Sequence, residues 1–380
     1  MKYRKLAAHY ALLPDGVLKN PMVTVDDEGR IVSVGSCDPA QTDSCEGVEF
    51  HAGMLAPALV NAHSHLELAY LKGAIHQGCG YGGFAGAMAA VRNRFSPEER
   101  LRAIEIADRE MYEAGIGAVG DISNDESSFA AKAQSKIHYR TFCEVFGLKT
   151  DNLLRARGMA AAGDTFSLTP HSLYSLNDNV LKEVCRESCG VLSIHFMESP
   201  AESELFHGEG SLHEWFATQG FNCDFLGYGS PAERLVACVP ADRSVMLVHC
   251  TCVTQRDIDL IMNHFSAPVY WCLSPASNRY ISGMQPDAEL LRRNGLTLCI
   301  GTDSLASNSS LSMVEELKLL ADLPADEVLR WATANGAEAL GFNDGTGRLE
   351  VGSRCGIVAV SGIDFATMRF TEKLAVRRLI

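Results

Sequence analysis

From residue 55 onward the chain alternates short, β-branched apolar runs with longer amphipathic stretches, and it does so eight times. The apolar runs fall at 55–62, 116–122, 137–146, 165–171, 191–196, 244–250, 268–274 and 296–302. Runs of this kind read as strands buried on both faces, the habit of parallel sheets. Between them lie stretches such as PEERLRAIEIADREMYEAG, NDNVLKEVCRESCG, TQRDIDLIMNHF and PDAELLRRNG, several of them closed by Gly as helices often are. Eight such units predict an α/β fold, a (β/α)8 TIM barrel rather than an open sheet. A barrel alone takes roughly 250 residues. The 380 residues present leave room for a smaller second unit.

That unit is read at the two ends. Residues 3–54 form short apolar stretches broken by PDG and DEGR, a hairpin texture. Residues 348–380 return to short apolar runs. The expectation is a small β-sandwich domain built from 1–54 plus 348–380, packed against a barrel at 55–347.

Composition narrows the partners. A formal net charge of -14 argues against nucleic acid and against anionic membranes, both of which call for basic surfaces. No signal peptide is read at the N-terminus, and no apolar run approaches the roughly 20 residues of a membrane span. A small-molecule partner is therefore expected. The 13 cysteines are odd in number, and most sit inside apolar runs, as do Cys250, Cys272 and Cys299. They predict reduced, buried thiols and a cytoplasmic location.

In such barrels the reactive groups sit at the C-terminal ends of the strands. The first strand runs into His63-Ser64-His65, the fourth ends at His171, and the fifth carries His195 with Glu198 three residues on. The sixth strand carries His249 and the eighth ends at Asp303. Histidines at i and i+2 on a strand share one side of the backbone. A third imidazole and a carboxylate from distant strands complete an N3O donor set suited to one divalent metal, zinc first and iron second. Such a set leaves a position for water, whose pKa the ion lowers. Five histidines and one aspartate at successive strand ends, out of 12 histidines in all, form a pattern that chance does not explain.

Other signals carry less. Gly78-Cys79-Gly80-Tyr81-Gly82-Gly83 matches GxGxxG, but it follows no strand directly and reads as a flexible loop with no helix opening on it. His207-Gly208-Glu209 resembles a nucleobase-deaminase HxE but lacks the PCxxC that should follow. Neither a GxSxG nor a Walker loop is present. Arg140 and Arg279 are candidate partners for a substrate carboxylate, or else surface salt bridges.

The motifs NAHSHLE (61–67), IHFMES (194–199), VHC (248–250), LSPASN (273–278) and GTDSLASN (301–308) together resemble the amidohydrolase superfamily. The branch resembled holds cytosine, guanine, adenosine, S-adenosylhomocysteine and aminodeoxyfutalosine deaminases and triazine chlorohydrolases. The likeness runs in order over nearly the whole chain, including DEGRIVSVG near the start and GRLEVGSRCGIVAV near the end. It implies that His63, His65, His195 and Asp303 are metal ligands and that Glu198 is the acid/base serving a ring nitrogen. It implies that His249 bonds the reacting water or centre, that Asp303 takes the water's proton, and that His171 contacts substrate. Glu67 and the loops at 73–95 and 199–235 are expected to shape the pocket. Many of the resembled enzymes are dimers or larger, so a homo-oligomer is compatible.

Two departures stand out. Cys355-Gly356 replaces the Asp usual before the last apolar run, and no Lys lies in the fourth strand to bridge two metals, so one metal is expected.

The expected reaction is deamination of a purine-like nucleoside or heterocycle. Metal hydroxide attacks an amidine-like carbon, Glu198 protonates the ring nitrogen, and ammonia leaves. Two rivals are hydrolytic displacement of another group, such as chloride, and a non-catalytic metal-binding barrel.

Overall fold

The computed structural model describes residues 3–36 and 47–380. The remainder of the expected 1–54 segment, at 1–2 and 37–46, lies outside the described residues.

The chain opens with β1 (Arg4–Leu13), β2 (Gly16–Lys19), β3 (Pro21–Val25), β4 (Ile31–Ser36) and β5 (Val48–Pro57). It then enters eight parallel strands. These are β6 (Leu59–Ser64), β7 (Ile116–Ser123), β8 (His138–Val145), β9 (Phe166–Pro170), β10 (Leu192–Phe196), β11 (Val245–His249), β12 (Val269–Leu273) and β13 (Thr297–Ile300). It closes with β14 (Ile357–Asp364) and β15 (Arg369–Arg378).

The eight parallel strands form two four-stranded sheets, β6-β7-β8-β9 and β10-β11-β12-β13. Bridges tie the two sheets at both edges. At one, Ser172 pairs with His195, whose N–H donates to the His171 carbonyl at 2.9 Å. At the other, Ser64 pairs with Asp303. There the N–H groups of Thr302 and Asp303 both donate to the His63 carbonyl at 3.0 Å. Every residue of β6, β10, β11 and β12 is buried, as the unbroken apolar runs require.

The intervening helices follow from their caps and stripes. Pro97–Glu113 starts from a Ser96/Glu99 capping box with Pro at N1 and buries Ile104, Ala107 and Met111 on one face. Gln255–His264 uses Thr254 and Asp257 in the same way and buries Ile258 and Ile261.

The terminal segments meet in one seven-stranded mixed sheet, ordered β15-β14-β5-β1-β3-β4 with β2 beside β1. Here β14 pairs antiparallel with β5. Two expectations are corrected. The run 55–62 is not one strand: Leu55 to Pro57 finish β5 in the terminal sheet, and β6 begins at Leu59. Pro57 has no N–H to continue a ladder, and Ala58 instead donates to the Gly356 carbonyl at 3.2 Å. A Cβ at Gly356 would stand 3.0 Å from Ala58 Cβ, so the residue that departs from the family pattern is one this crossing needs. The segment expected as a flexible loop also carries a helix, Gly80–Val91. The Ala-, Met- and Val-bearing half, AGAMAAV, sustains a helix that the glycines at its start obscure.

Candidate metal centre

His63 lies in β6 and His65 one residue past its end, so the two rings face one space, their centroids 5.0 Å apart. His195 in β10 brings its Nε2 to 3.3 Å from that of His65. Asp303, just beyond β13, places Oδ1 at 3.4 Å from His65 Nε2 and 3.7 Å from His63 Nε2. One ligand atom from each of these four buried residues lies within 4.8 Å of the other three.

The close approach depends on Gly301. A Cβ there would sit 2.7 Å from the His63 carbonyl oxygen, so any larger residue would push β13 away from β6. The backbone is also bent hard around the site. Met197, His249, Cys250 and Asp303 all take positive φ, at 47°, 77°, 53° and 57°. Each such residue costs on the order of 1–3 kcal/mol and persists where the surroundings enforce it.

These residues fit a divalent ion. Burial pushes His65 down to about 3 and lowers His63 and His195, which keeps the imidazoles neutral with lone pairs free. His195 donates Nδ1–H to the His171 carbonyl at 2.9 Å, so its Nε2 carries the lone pair. That lone pair faces another ring nitrogen at 3.3 Å, an arrangement a cation relieves. Both ring nitrogens of His63 are buried without a hydrogen-bond partner. Two hydroxyls, from Ser277 and Ser307, donate to Asp303 Oδ2 at 2.6 Å each and leave Oδ1 turned to the histidines.

Glu198 and His249 adjoin this cluster. Each supplies an atom that lies, together with one from Asp303, inside the same 4.8 Å limit. Burial, reinforced by the Asp303 charge, pushes the Glu198 carboxyl well above its usual range. Its loop is fixed by Glu202, which accepts the N–H groups of Met197 and Glu198 at 3.0 and 2.6 Å. Asn278 Oδ1 lies 2.8 Å from His249 Nδ1, while the Asn278 amide nitrogen bonds Thr251 Oγ1. That orientation makes Nδ1 of His249 the donor and leaves Nε2 bare, 3.8 Å from Glu198 Oε1.

A cavity of about 500 Å³ opens onto the cluster and is lined by His65, His195, Glu198, His249 and Asp303. His171 stacks on His195 at 4.7 Å and lines the cavity, as expected of a substrate neighbour. Glu67 also lines it, but one of its oxygens already accepts the N–H groups of Asn124 and Asp125 at 2.8 and 3.0 Å, so part of its work is to hold that loop. Farther out the wall is aromatic, with Phe84, Trp215, Phe216 and Phe221. Arg140 donates to the carbonyls of Asp164 and Cys189 and does not line the cavity, and Arg279 is exposed outside it. Neither is placed to meet a substrate here.

The residues that sequence reasoning passed over are the supporting ones: Ser277, Ser307, Asn278, Glu202 and the pair Asp121 and Lys132. Asp121 accepts the Leu66 N–H at 2.7 Å, next to His65, and pairs with the Lys132 ammonium, both residues being buried. Lys132→Met leaves Asp121 buried and unpaired and should cost about 3–5 kcal/mol in denaturant unfolding. A Lys132→Met/Asp121→Leu double variant should recover most of that loss.

A parallel α/β framework with three imidazoles and a carboxylate converging at its strand ends defines a class, the metal-dependent hydrolases. The model of the Amidohydrolase family matches residues 54–376, and the chain belongs to that family. It is 27% identical over 368 residues to a 5-methylthioadenosine/S-adenosylhomocysteine deaminase of Desulforudis audaxviator, covering 87% of this chain and 79% of the relative. Its fold matches that of Helicobacter pylori aminofutalosine deaminase in complex with methylthio-coformycin, with TM-score 0.79 at 24% identity over 99% of this chain and 100% of the other. It also matches an atrazine chlorohydrolase of Arthrobacter aurescens complexed with zinc, with TM-score 0.69 at 18% identity over 93% and 86%. Among the described residues no helix is long and apolar enough to cross a membrane.

Proposed function

We propose that this chain is a mononuclear deaminase that releases ammonia from an aminated, purine-like nucleoside or heterocycle. The observation that carries the reading is the placement of Glu198 and His249 beside the His63/His65/His195/Asp303 cluster, near it but outside its donor set. The four clustered residues would hold one divalent ion. Zinc is the reading supported by the N3O donors and by the zinc in the related chlorohydrolase. When bound, the ion supplies a water acidified to near neutral pKa.

The chain's own groups do the rest. Glu198, held toward its protonated form by burial, gives its proton to the ring nitrogen and makes the adjacent carbon electrophilic. His249, with Nε2 bare, accepts a hydrogen bond at the reacting centre. Asp303, its Oδ2 held by two serine hydroxyls and its Oδ1 facing the histidines, would take up the proton released by the water. The aromatic outer wall excludes water and packs the substituent of the ring.

The same reading covers the architecture. The two four-stranded sheets, bridged at both edges, act as one closed (β/α)8 barrel. The terminal strands, joined in their one seven-stranded sheet, form a separate small β domain beside it. The eleven free cysteines among the described residues suit a cytoplasmic enzyme.

The test is a panel of aminated purines, pyrimidines and their nucleosides with metal-loaded protein, read by ammonia release and the accompanying ultraviolet shift. At least one adenosine-type compound should release stoichiometric ammonia. The chlorohydrolase neighbour motivates a parallel arm with chlorinated triazines. Chloride release there with no ammonia from any amine would replace the proposal with its rival.

A further inference from the structure

One wall of the cavity holds polar groups that the reaction above does not use. Glu144, in β8, is 2% exposed, lines the cavity, and has Oε1 without a hydrogen-bond partner. Asn124 Oδ1 and His171 Nδ1 are likewise shielded and unpartnered, on residues lining the same cavity. Glu144, His171 and His195 each bring one atom within 4.8 Å of the others. A buried acceptor without a donor costs about 1–3 kcal/mol, so three together mark a place that a ligand completes.

Two simpler roles for Glu144 fail on geometry. It does not orient His195, because the His195 Nδ1–H already goes to the His171 carbonyl at 2.9 Å, while Glu144 Oε1 stands 3.6 Å away. It does not gain a second metal by sharing His195, because that Nδ1 is committed and Nε2 faces His65. Burial pushes the Glu144 carboxyl up to about 8, so it can donate as well as accept, while the amide oxygen only accepts. The missing group must both donate and accept. A cationic donor would sit one imidazole away from the divalent ion of the proposed centre and be repelled. A hydroxyl donates to the oxygens and also pairs with His171 Nδ1 in either tautomer.

We propose that Glu144 is a specificity-determining residue that, with Asn124 and His171, receives the vicinal hydroxyls of a ribosyl-type substituent on the substrate. The inference rests on the deaminase reading and makes the preferred substrate a nucleoside rather than a free base.

The experiment compares adenosine with 2′,3′-dideoxyadenosine on metal-loaded wild type, Glu144→Gln and Glu144→Ala, with metal content measured for each. Two hydroxyls making hydrogen bonds of about 0.5–1.5 kcal/mol each contribute about 5- to 150-fold together. Wild type should therefore favour adenosine in kcat/KM by at least about the lower figure. Glu144→Ala should retain one metal and lose most of that preference, the loss falling on adenosine more than on the dideoxy compound, with Glu144→Gln between it and wild type. Equal losses on both compounds, or loss of metal, would overturn the proposal. If wild type deaminates neither, the deaminase reading fails on its own terms, and calorimetric binding of the same two nucleosides decides the subsite. A hydroxyl preference erased in Glu144→Ala upholds it, and no preference in wild type overturns it.

Discussion

Replacing His195 by Ala is expected to give a folded protein that carries no stoichiometric metal and turns over nothing. His195 is the proposed ligand whose placement is most tightly specified by its surroundings. Its Nδ1 is anchored on the His171 carbonyl, its Nε2 meets that of His65 at 3.3 Å, and its ring stacks against His171 and His249. Loss of an outer-shell partner of a metal site typically weakens binding about 10–100-fold, and removal of a ligand should exceed that. Metal analysis after dialysis, with circular dichroism to show the fold intact, reads the result. His65→Ala provides an independent second ligand deletion. A His195→Ala protein that keeps one equivalent of metal would remove His195 from the centre.

The second large effect is expected at Glu198, with the opposite signature on metal. Glu198→Gln preserves shape and the backbone bonds that Glu202 makes to Met197 and Glu198. It removes only the transferable proton. General acid–base groups contribute about 10²–10⁴-fold, so kcat should fall by that order while the metal stays at one equivalent. Full metal with kcat near wild type would mean that another group carries the proton. Together the two variants separate holding the ion from moving the proton, roles that a single activity loss would blur.

Much of this was readable from the residues. Seven of the eight parallel strands lie within two residues of where the apolar runs placed them, because continuous burial leaves a continuous apolar signature. The polar residues ending those runs, His63, His65, His195, His249 and Asp303, converge as the topology requires. The break at Ala58 was not readable, since one apolar stretch served two sheets and the carbonyl that stops it belongs to Gly356, far along the chain. The helix at Gly80–Val91 was hidden because its opening glycines signal a loop locally, while its packing is tertiary. Asn278, Ser277 and Ser307 stand in quoted motifs, but their duties depend on partners distant in sequence, at His249 and Asp303. Glu144 and Asp121 did leave a signal. Each is the lone charged residue in the C-terminal half of an apolar strand, FCEV and AVGDIS. The strand-end logic that found the histidines would have found them too.

One ion at these four residues is proposed to drive release of ammonia. Metal-free protein titrated with zinc, with initial rates of ammonia release from the best substrate of the panel plotted against equivalents added, tests it most directly. The rate should start near zero, rise linearly and level at one equivalent per chain. Full activity without metal, or a break at two equivalents, would contradict it.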